Sequence, residues 1–561
     1  MAQANEAASS PQPPASWVVI PARGGSVGVP RKNVRALAGR PLIGHAIVRA
    51  SAVVPLERVI VITDDHEIAF IARGFGAEVI LEADRTPSEE TLDTKVIRNL
   101  PRLRELGADA DDIVVTLQPT SPLVTPHSLT EAIEAVRVGG GSVISVVDDR
   151  HLRWSVRDGQ PIPLFEARVN RQQLPAEFRE TGGVVAARVE EIEAHGTRVI
   201  APVRLLELPA EESVDIDSFA DLYSAAHLLT RLRVAIRADA ASHLGMGHIY
   251  RALAIGMELA RHDVRIYTLE KLELGSSFLA GYPLANERVA DDRDFLAHMA
   301  DFKPDLVVLD VLDTTEALVD AIRAASSRTK IVTFEDLGTG AFAADLLVAE
   351  FVNHTEVPEE RQLQGVQNAI LAPAFDSLNW DPEFRPHLEH VLVLFGGTDP
   401  NDLADRALDA LERLTFEGRV TVVRGLGARP ISTARRQLDL EVLTDVRYMP
   451  EVLSRADLAF TSAGRTIFEL ATMGVPSICI AQNLKELAHR HATEEYGVRA
   501  LGLATRVADS QIDEEFSLLA AEPERRRKLQ EAALRATGGR SNHRVLGRIL
   551  DRLGFDPFPN L

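Results

Sequence analysis

The sequence predicts an α/β protein built on doubly wound parallel sheets, and three observations carry that expectation. Short apolar runs, at residues 17–20, 59–62 and 113–117 among others, alternate with stretches of helical period. Glycine-rich or proline-rich turns close several of those runs. The 561 residues exceed what one hydrophobic core organises, so two to four domains are expected in series.

The first turn organises the first half of the chain. Residues 17–20 read as a buried parallel strand. Gly24, Gly25 and Gly28 come next, with Ser26 and the cations Arg23, Arg31 and Lys32. Glycines let backbone N–H groups turn toward a ligand, and the cations neutralise phosphate. The turn reads as a triphosphate cradle, although a plain glycine-rich βα connection has the same composition. It lacks both the Gly-Lys-Ser/Thr ending of a P-loop and the Gly-x-Gly-x-x-Gly dinucleotide fingerprint.

The elements then alternate: helix 41–53, strand 59–62, helix 66–75, strand 79–81, helix 93–106 and strand 113–117. In such sheets ligands sit at the carboxyl ends of the strands. Thr63-Asp64 and Gln118-Pro119-Thr120-Ser121-Pro122 stand there, and each alone is also the composition of a helix cap. The stretch 148–179 breaks the alternation and contains Arg171-Gln172-Gln173-Leu174-Pro175. A guanidinium there suits a carboxylate. Asp215 and Asp217 are spaced to point one way on an extended segment and so to share a hard cation. Asp217 also reads as the cap of a helix over 218–229.

Residues 16–230 resemble the CMP-sialic acid synthetases, the acylneuraminate cytidylyltransferases. The family opens with a strand, Pro-Ala-Arg-x-Gly-Ser-x-Gly and Lys-Asn; this chain departs at Gly25 and Val27. Thr63-Asp64, the Gln-Pro-Thr-Ser-Pro turn, Arg-Gln-x-Leu-Pro and Asp-x-Asp follow in family order. The family's Asn-Gly is replaced by Thr181-Gly182-Gly183. The resemblance implies a doubly wound, Rossmann-like nucleotidyltransferase domain that transfers cytidylyl from CTP to a nine-carbon acidic sugar. It implies nucleotide contacts from Arg23, Gly24, Gly25, Ser26, Lys32 and Asn33, and from Asp64, Arg85, Gln118 and Ser121. Gln118, Arg171 and Gln172 would hold the sugar, Asp215 and Asp217 a Mg²⁺ ion, and Lys32 and Asp217 would serve catalysis. A homodimer through this half is implied as well.

The helix near residue 229 runs almost directly into a strand at 234–236, without a Gly/Pro-rich linker. Two further α/β stretches follow, over 231–380 and 381–561. After the first strand, Gly247 and His248 open a helix expected over 249–261. A histidine there can act as a base near neutral pH, although a lone histidine is more often structural. His243 and His248 have no evident third metal ligand. In the second stretch, after a strand at 458–460, Ala463-Gly464-Arg465-Thr466 opens a helix over 467–473 that carries Glu469. A helix N-terminus suits a pyrophosphate, and a carboxylate one turn on suits ribose hydroxyls.

This half resembles the UDP-sugar hydrolase of pseudaminic acid synthesis and related spore-coat polysaccharide proteins. The matching residues are Arg237, Asp239, Gly245, Gly247, His248 and Arg251; Gly396, Gly397 and Asp399; and Ala463, Gly464, Thr466 and Glu469. Glu335-Asp336 and Asn483-Leu484 depart from the family's Asp-Asp and Asn-Gln. The resemblance implies a twin Rossmann-like, glycosyltransferase-B-type domain. UDP-sugar would be held by Gly247, His248, Arg251 and Gly397, and by Ala463, Gly464, Arg465, Thr466, Glu469 and Asn483, with His248 activating water. Glycosyl transfer and non-catalytic UDP-sugar binding remain alternatives.

A net charge of −21 argues against nucleic acid or an anionic membrane as partner. The single cysteine, Cys479, sits in an apolar run, which excludes a disulfide framework. No apolar stretch is long enough to span a membrane, and residues 1–15 read as a disordered tail without a signal-peptide core. The expectation is a cytoplasmic bifunctional enzyme that uses CTP, a nonulosonic acid and a UDP-amino-sugar, with Mg²⁺ as cofactor.

Overall fold

The computed structural model describes residues 14–25, 28–82, 90–240, 246–311, 313–351, 356–375, 380–425, 427–431, 437–444, 446, 448–538 and 541–555. The chain divides into two compact units after Thr230.

The first unit holds a seven-stranded sheet. Its spatial order is Val203–Glu207, Ser142–Asp148, Phe178–Arg188, Ile113–Leu117, Ser16–Pro21, Val59–Thr63 and Glu78–Leu81. All neighbours are parallel except Phe178–Arg188, which runs antiparallel to both its partners. Trp17, Val18, Val19 and Ile20 are at most 3% exposed, as a strand covered by helices on both faces requires. Pro41 caps the helix Leu42–Ser51 instead of lying inside it. Chain order reverses between Ser16–Pro21 and Ile113–Leu117, which makes the crevice beyond their carboxyl ends the place for a ligand.

The interrupted stretch after Asp148 is an arm. It holds a small hairpin, Trp154–Arg157 with Gln160–Pro163, and a single 3₁₀ turn, Arg171–Gln173. The long strand Phe178–Arg188 returns with a bulge between Glu180 and Val185, so Thr181-Gly182-Gly183 is a sheet irregularity.

The second unit contains two all-parallel sheets. One runs Ala285–Val289, Asp263–Leu269, Arg233–Ala238, Leu306–Asp310, Lys330–Phe334, Leu346–Ala349 and Gln362–Gln364. The other runs Asp439–Thr444, Arg419–Arg424, His390–Leu394, Leu458–Thr461, Ser477–Ala481 and Val498–Leu503. Each begins in the order third, second, first, fourth, fifth, sixth strand, so this is the twin Rossmann-like, glycosyltransferase-B-type arrangement. The division at residue 380 needs one correction. Val545, Leu546, Ile549 and Leu550 of the last helix, Asn542–Arg552, pack in one core cluster with Val234 and Ile236 of the earlier lobe. That helix presents its apolar stripe to the first lobe. Among the described residues no helix is long and apolar enough to cross a membrane.

Candidate functional site

At the reversal point of the first unit, the glycine turn is pinned from several directions. Gly24 N–H donates to Asp64 Oδ1 at 2.8 Å, and Asn33 Nδ2 donates to the Arg23 carbonyl at 2.9 Å. Asn33 is 4% exposed, so its amide staples the turn. The two consecutive aspartates divide the work: Asp65 caps the helix His66–Gly74 by accepting from Glu67 and Ile68 N–H groups. Arg31, read as a phosphate cation, turns away to pair with Glu67 and Asp65. Arg23 stays exposed. Ser26 and Arg85 lie outside the described residues.

Lys32 meets a segment that is distant in sequence, just before the unit's last helix. Its Nζ donates to the Ile216 carbonyl at 2.7 Å and lies 3.1 Å from Asp217 Oδ1. Gly28 lets the turn approach the same peptide, since a Cβ there would lie 2.0 Å from the Asp217 carbonyl oxygen. Ile216 N–H donates to the Thr120 carbonyl at 2.9 Å, tying this segment to the Gln118–Pro122 turn by backbone. Asp215 Oδ1 is buried without a protein partner, and burial raises that carboxyl's pKa. The cap reading of Asp217 is corrected: Ser218 caps the helix Phe219–Leu229 and forms a capping box with Asp221.

The sugar-side residues are placed differently. Gln118 Nε2 donates to the Gly182 carbonyl at 2.6 Å, and buried Ser121 packs on Gly183. Both therefore shape the turn against the bulge. Arg171 and Gln172 are exposed on the arm, where Arg171 donates to the Asp148 carbonyl at 3.3 Å.

In the second unit, His248 stands on the first turn of the helix Gly247–Glu258. Its Nδ1 lies 2.7 Å from Oδ1 of Asp310, the last residue of its strand at the reversal point. Arg251 donates to both Asp310 oxygens, at 2.7 and 2.6 Å. The Arg251 guanidinium holds the Asp310 carboxyl well below the usual range, with the His248 ring adding to the effect against the penalty of burial. An ionised Asp310 accepts a hydrogen bond from Nδ1–H, which keeps the proton on Nδ1 and leaves Nε2 as the basic nitrogen. Beside it a cavity of about 510 Å³ is lined by His248, Arg237, Asp239, Lys271, Asp313 and Thr314, among others.

Several expected UDP-sugar contacts have other work in this structure. Arg251 is 2% exposed and buried between Asp310 and Glu350, 3.3 Å from the latter. Arg465 pairs with Glu350 and donates to the Ile370 carbonyl. Asn483 caps the short helix Leu484–Leu487, and Asp399 accepts from Leu403 and Ala404 N–H groups at a helix start. The Gly397 carbonyl accepts from Gly427 N–H at 2.9 Å. A Cβ on Gly247 would lie 3.3 Å from Arg465 Cδ, and Arg465 stands between Gly464 and Thr466 at the start of the helix Thr466–Met473. Glu469 keeps some exposed surface, yet burial pushes its carboxyl up to about 7. Ala463 is 2% exposed and offers only its backbone.

Residues 17–155 match the cytidylyltransferase family model. The chain is also similar to N-acylneuraminate cytidylyltransferases. Zebrafish (Danio rerio) N-acylneuraminate cytidylyltransferase A is 29% identical over 410 residues, covering 64% of this chain and 92% of the relative. CMP-N,N'-diacetyllegionaminic acid synthase of Legionella pneumophila is 40% identical over 130 residues, covering 23% of this chain; the chain spans only 56% of that relative's length. The crystal structure of Acinetobacter baumannii MurG aligns with 58% of this chain and 99% of its own at 14% identity, with a TM-score of 0.40.

The cytidylyltransferase match ends at residue 155, before the 3₁₀ turn of the arm and before Asp215 and Asp217. Asp310 and Glu350 escaped the sequence reading altogether. The usable signal for Asp310 was a carboxylate at the end of the apolar run 306–309, the position where these sheets hold functional groups.

Proposed function

We propose that the first unit transfers a cytidylyl group from CTP to the anomeric hydroxyl of a nonulosonic, sialic-acid-like acid. The observation that carries this reading is Lys32 joining the glycine turn to Asp217, beside the partnerless Asp215 oxygen. The hydroxyl oxygen attacks the α-phosphorus, the bond to the β-phosphate bridge breaks, and pyrophosphate leaves while the hydroxyl proton passes to solvent. Arg23 and Lys32 neutralise phosphate charge. Asp215 and Asp217 fit a Mg²⁺ ion, because an unpartnered buried carboxylate oxygen and an exposed carboxylate two residues on form a hard oxygen donor set. When bound, that ion would neutralise charge developing on the phosphates. The exposed arm with Arg171 supports a homodimer in which the arm reaches a second copy. Mass spectrometry of products from CTP and a panel of nonulosonic acids tests the reading; no CMP-sugar from any member rejects it.

The second unit is proposed to cleave a UDP-amino-sugar. His248 Nε2 takes a proton from water as its oxygen attacks the anomeric carbon, and the bond to UDP breaks. The His248 and Asp310 pair beside the cavity supports a base. Glycosyl transfer stands as the second reading, since the same base can deprotonate an acceptor hydroxyl. UDP release without any acceptor supports hydrolysis; release only with an acceptor supports transfer.

A further inference from the structure

Two imidazoles outside every motif hold the backbone of the loop that precedes the helix Thr466–Met473. His489 Nδ1 lies 2.7 Å from the Ala463 carbonyl oxygen, and His491 Nε2 lies 3.2 Å from the Gly464 carbonyl oxygen. Both rings are clamped in an aromatic stack. Phe351 sits 4.8 Å from His489 and 4.7 Å from His491, and Phe468 sits 4.7 Å from His491. Burial holds both imidazoles below their usual range, His491 at about 3, so both stay neutral near pH 7. His491 is 1% exposed and its Nδ1 has no partner, so this ring acts through Nε2 alone. A neutral ring facing a carbonyl must donate there, which fixes each tautomer.

A carbonyl and the N–H of the next residue point opposite ways across a trans peptide. Holding the Ala463 and Gly464 carbonyls therefore aims the Gly464 and Arg465 N–H groups to the other side. Among the described residues neither N–H meets a protein acceptor. Two successive N–H groups at a helix start form an anion-binding nest. We infer that His489 and His491 are positioning residues, which orient these two amides toward the diphosphate of a nucleotide in the second unit. The inference rests on the UDP-sugar reading above and adds to it the groups that preset the loop.

The test measures UDP and uridine affinities of the full chain by calorimetry. H489F and H491F keep a ring in the stack and remove the donor. Each should weaken UDP about tenfold, the usual scale for one lost hydrogen bond, and leave uridine unchanged. H489N and H491Q return an N–H to the δ and ε positions, and should restore UDP binding to within about threefold. Should a Phe variant fail to fold, H489Q and H491N replace it. They keep polarity but misplace the donor, and the same fall in the UDP-to-uridine affinity ratio is expected. Unchanged UDP affinity in folded variants, or equal losses of UDP and uridine, overturns the inference. A wild-type chain that does not bind UDP overturns the UDP-sugar reading, and this inference with it.

Discussion

His248 Nδ1 and Asp310 Oδ1 lie 2.7 Å apart across 62 residues of sequence, and Arg251 donates to both oxygens of the same carboxylate. His248→Asn keeps polarity and approximate size but cannot act as a base. It should cut UDP release by roughly 10²–10⁴, the usual share of general-base catalysis. CTP-dependent CMP-sugar formation should persist, because every group assigned to that reaction precedes residue 231. Assaying both products from one preparation checks this; undiminished UDP release removes the base role. Asp310→Asn is less clean, since it also removes one of the two carboxylates, with Glu350, that neutralise the buried Arg251.

Lys32→Ala should lower cytidylyl transfer by roughly 10²–10³, as for loss of one charge-stabilising donor. UDP release serves as the internal control. Wild-type CMP-sugar turnover in this variant would refute the cradle.

Gly28→Ala places a methyl group 2.0 Å from the Asp217 carbonyl oxygen. Backbone on both sides cannot yield as a side-chain tip would, so the turn must shift away from Asp217. A displacement of that order costs about 10² in turnover. Steady-state kinetics with CTP should show it, and equal turnover in the variant would contradict the close approach.

Removing divalent metal with EDTA should abolish CMP-sugar formation, and Mg²⁺ should restore it. Asp215→Asn and Asp217→Asn should each raise the Mg²⁺ concentration at half activity. Ser218 is the helix cap, so Asp217→Asn should move the unfolding free energy by no more than about 0.5 kcal/mol. A metal dependence identical to wild type, with a large loss of stability, would reverse both assignments.

Glu469 titrates upward in the fold, to about 7 against an ordinary 4.5. Folding therefore favours the neutral carboxyl. The stability tied to it is fully present below about pH 4.5 and is lost as pH rises through 7. Glu469→Gln stays neutral, so it should equal wild type at pH 4 and exceed it at pH 8.5 by at most about 3 kcal/mol. Chemical denaturation at the two pH values measures the difference; a gain at pH 4 alone has the wrong sign. If the carboxylate accepts from ribose hydroxyls, the same variant should also bind UDP more weakly.

Much of the architecture was legible in the linear pattern. Apolar runs at 17–20, 234–236 and 458–460 are strands, to within a residue or two at their ends. The helix expected over 467–473 starts one residue earlier and ends against Gly474, whose φ of +69° is the left-handed stop. Local chemistry decides such features, so sequence carries them. The loops that follow the strands were located in the same way, because residues after a buried strand must emerge at one edge of the sheet.

Side-chain partners were not legible. Arg31 and Lys32 are adjacent cations, yet one turns to Glu67 and the other to Asp217. Asp64 and Asp65 are adjacent acids, yet one holds Gly24 and the other caps a helix. Nothing in composition separates these pairs; the direction each side chain takes from the folded backbone does.

The alternation of apolar runs and glycine turns was sufficient to place most of the parallel strands and the loops that close them, though not the antiparallel strand Phe178–Arg188, because hydrophobic period and turn chemistry act over a few residues. Folding alone decided what stands beside those loops. Strand order sets Asp310 against His248, and lobe packing sets Glu350 against Arg465, 115 residues away. His489 and His491 reach the Ala463 and Gly464 carbonyls only because Phe351 and Phe468 stack around them. Long-range contacts of this kind depend on sheet register and core packing, which no local window of sequence contains.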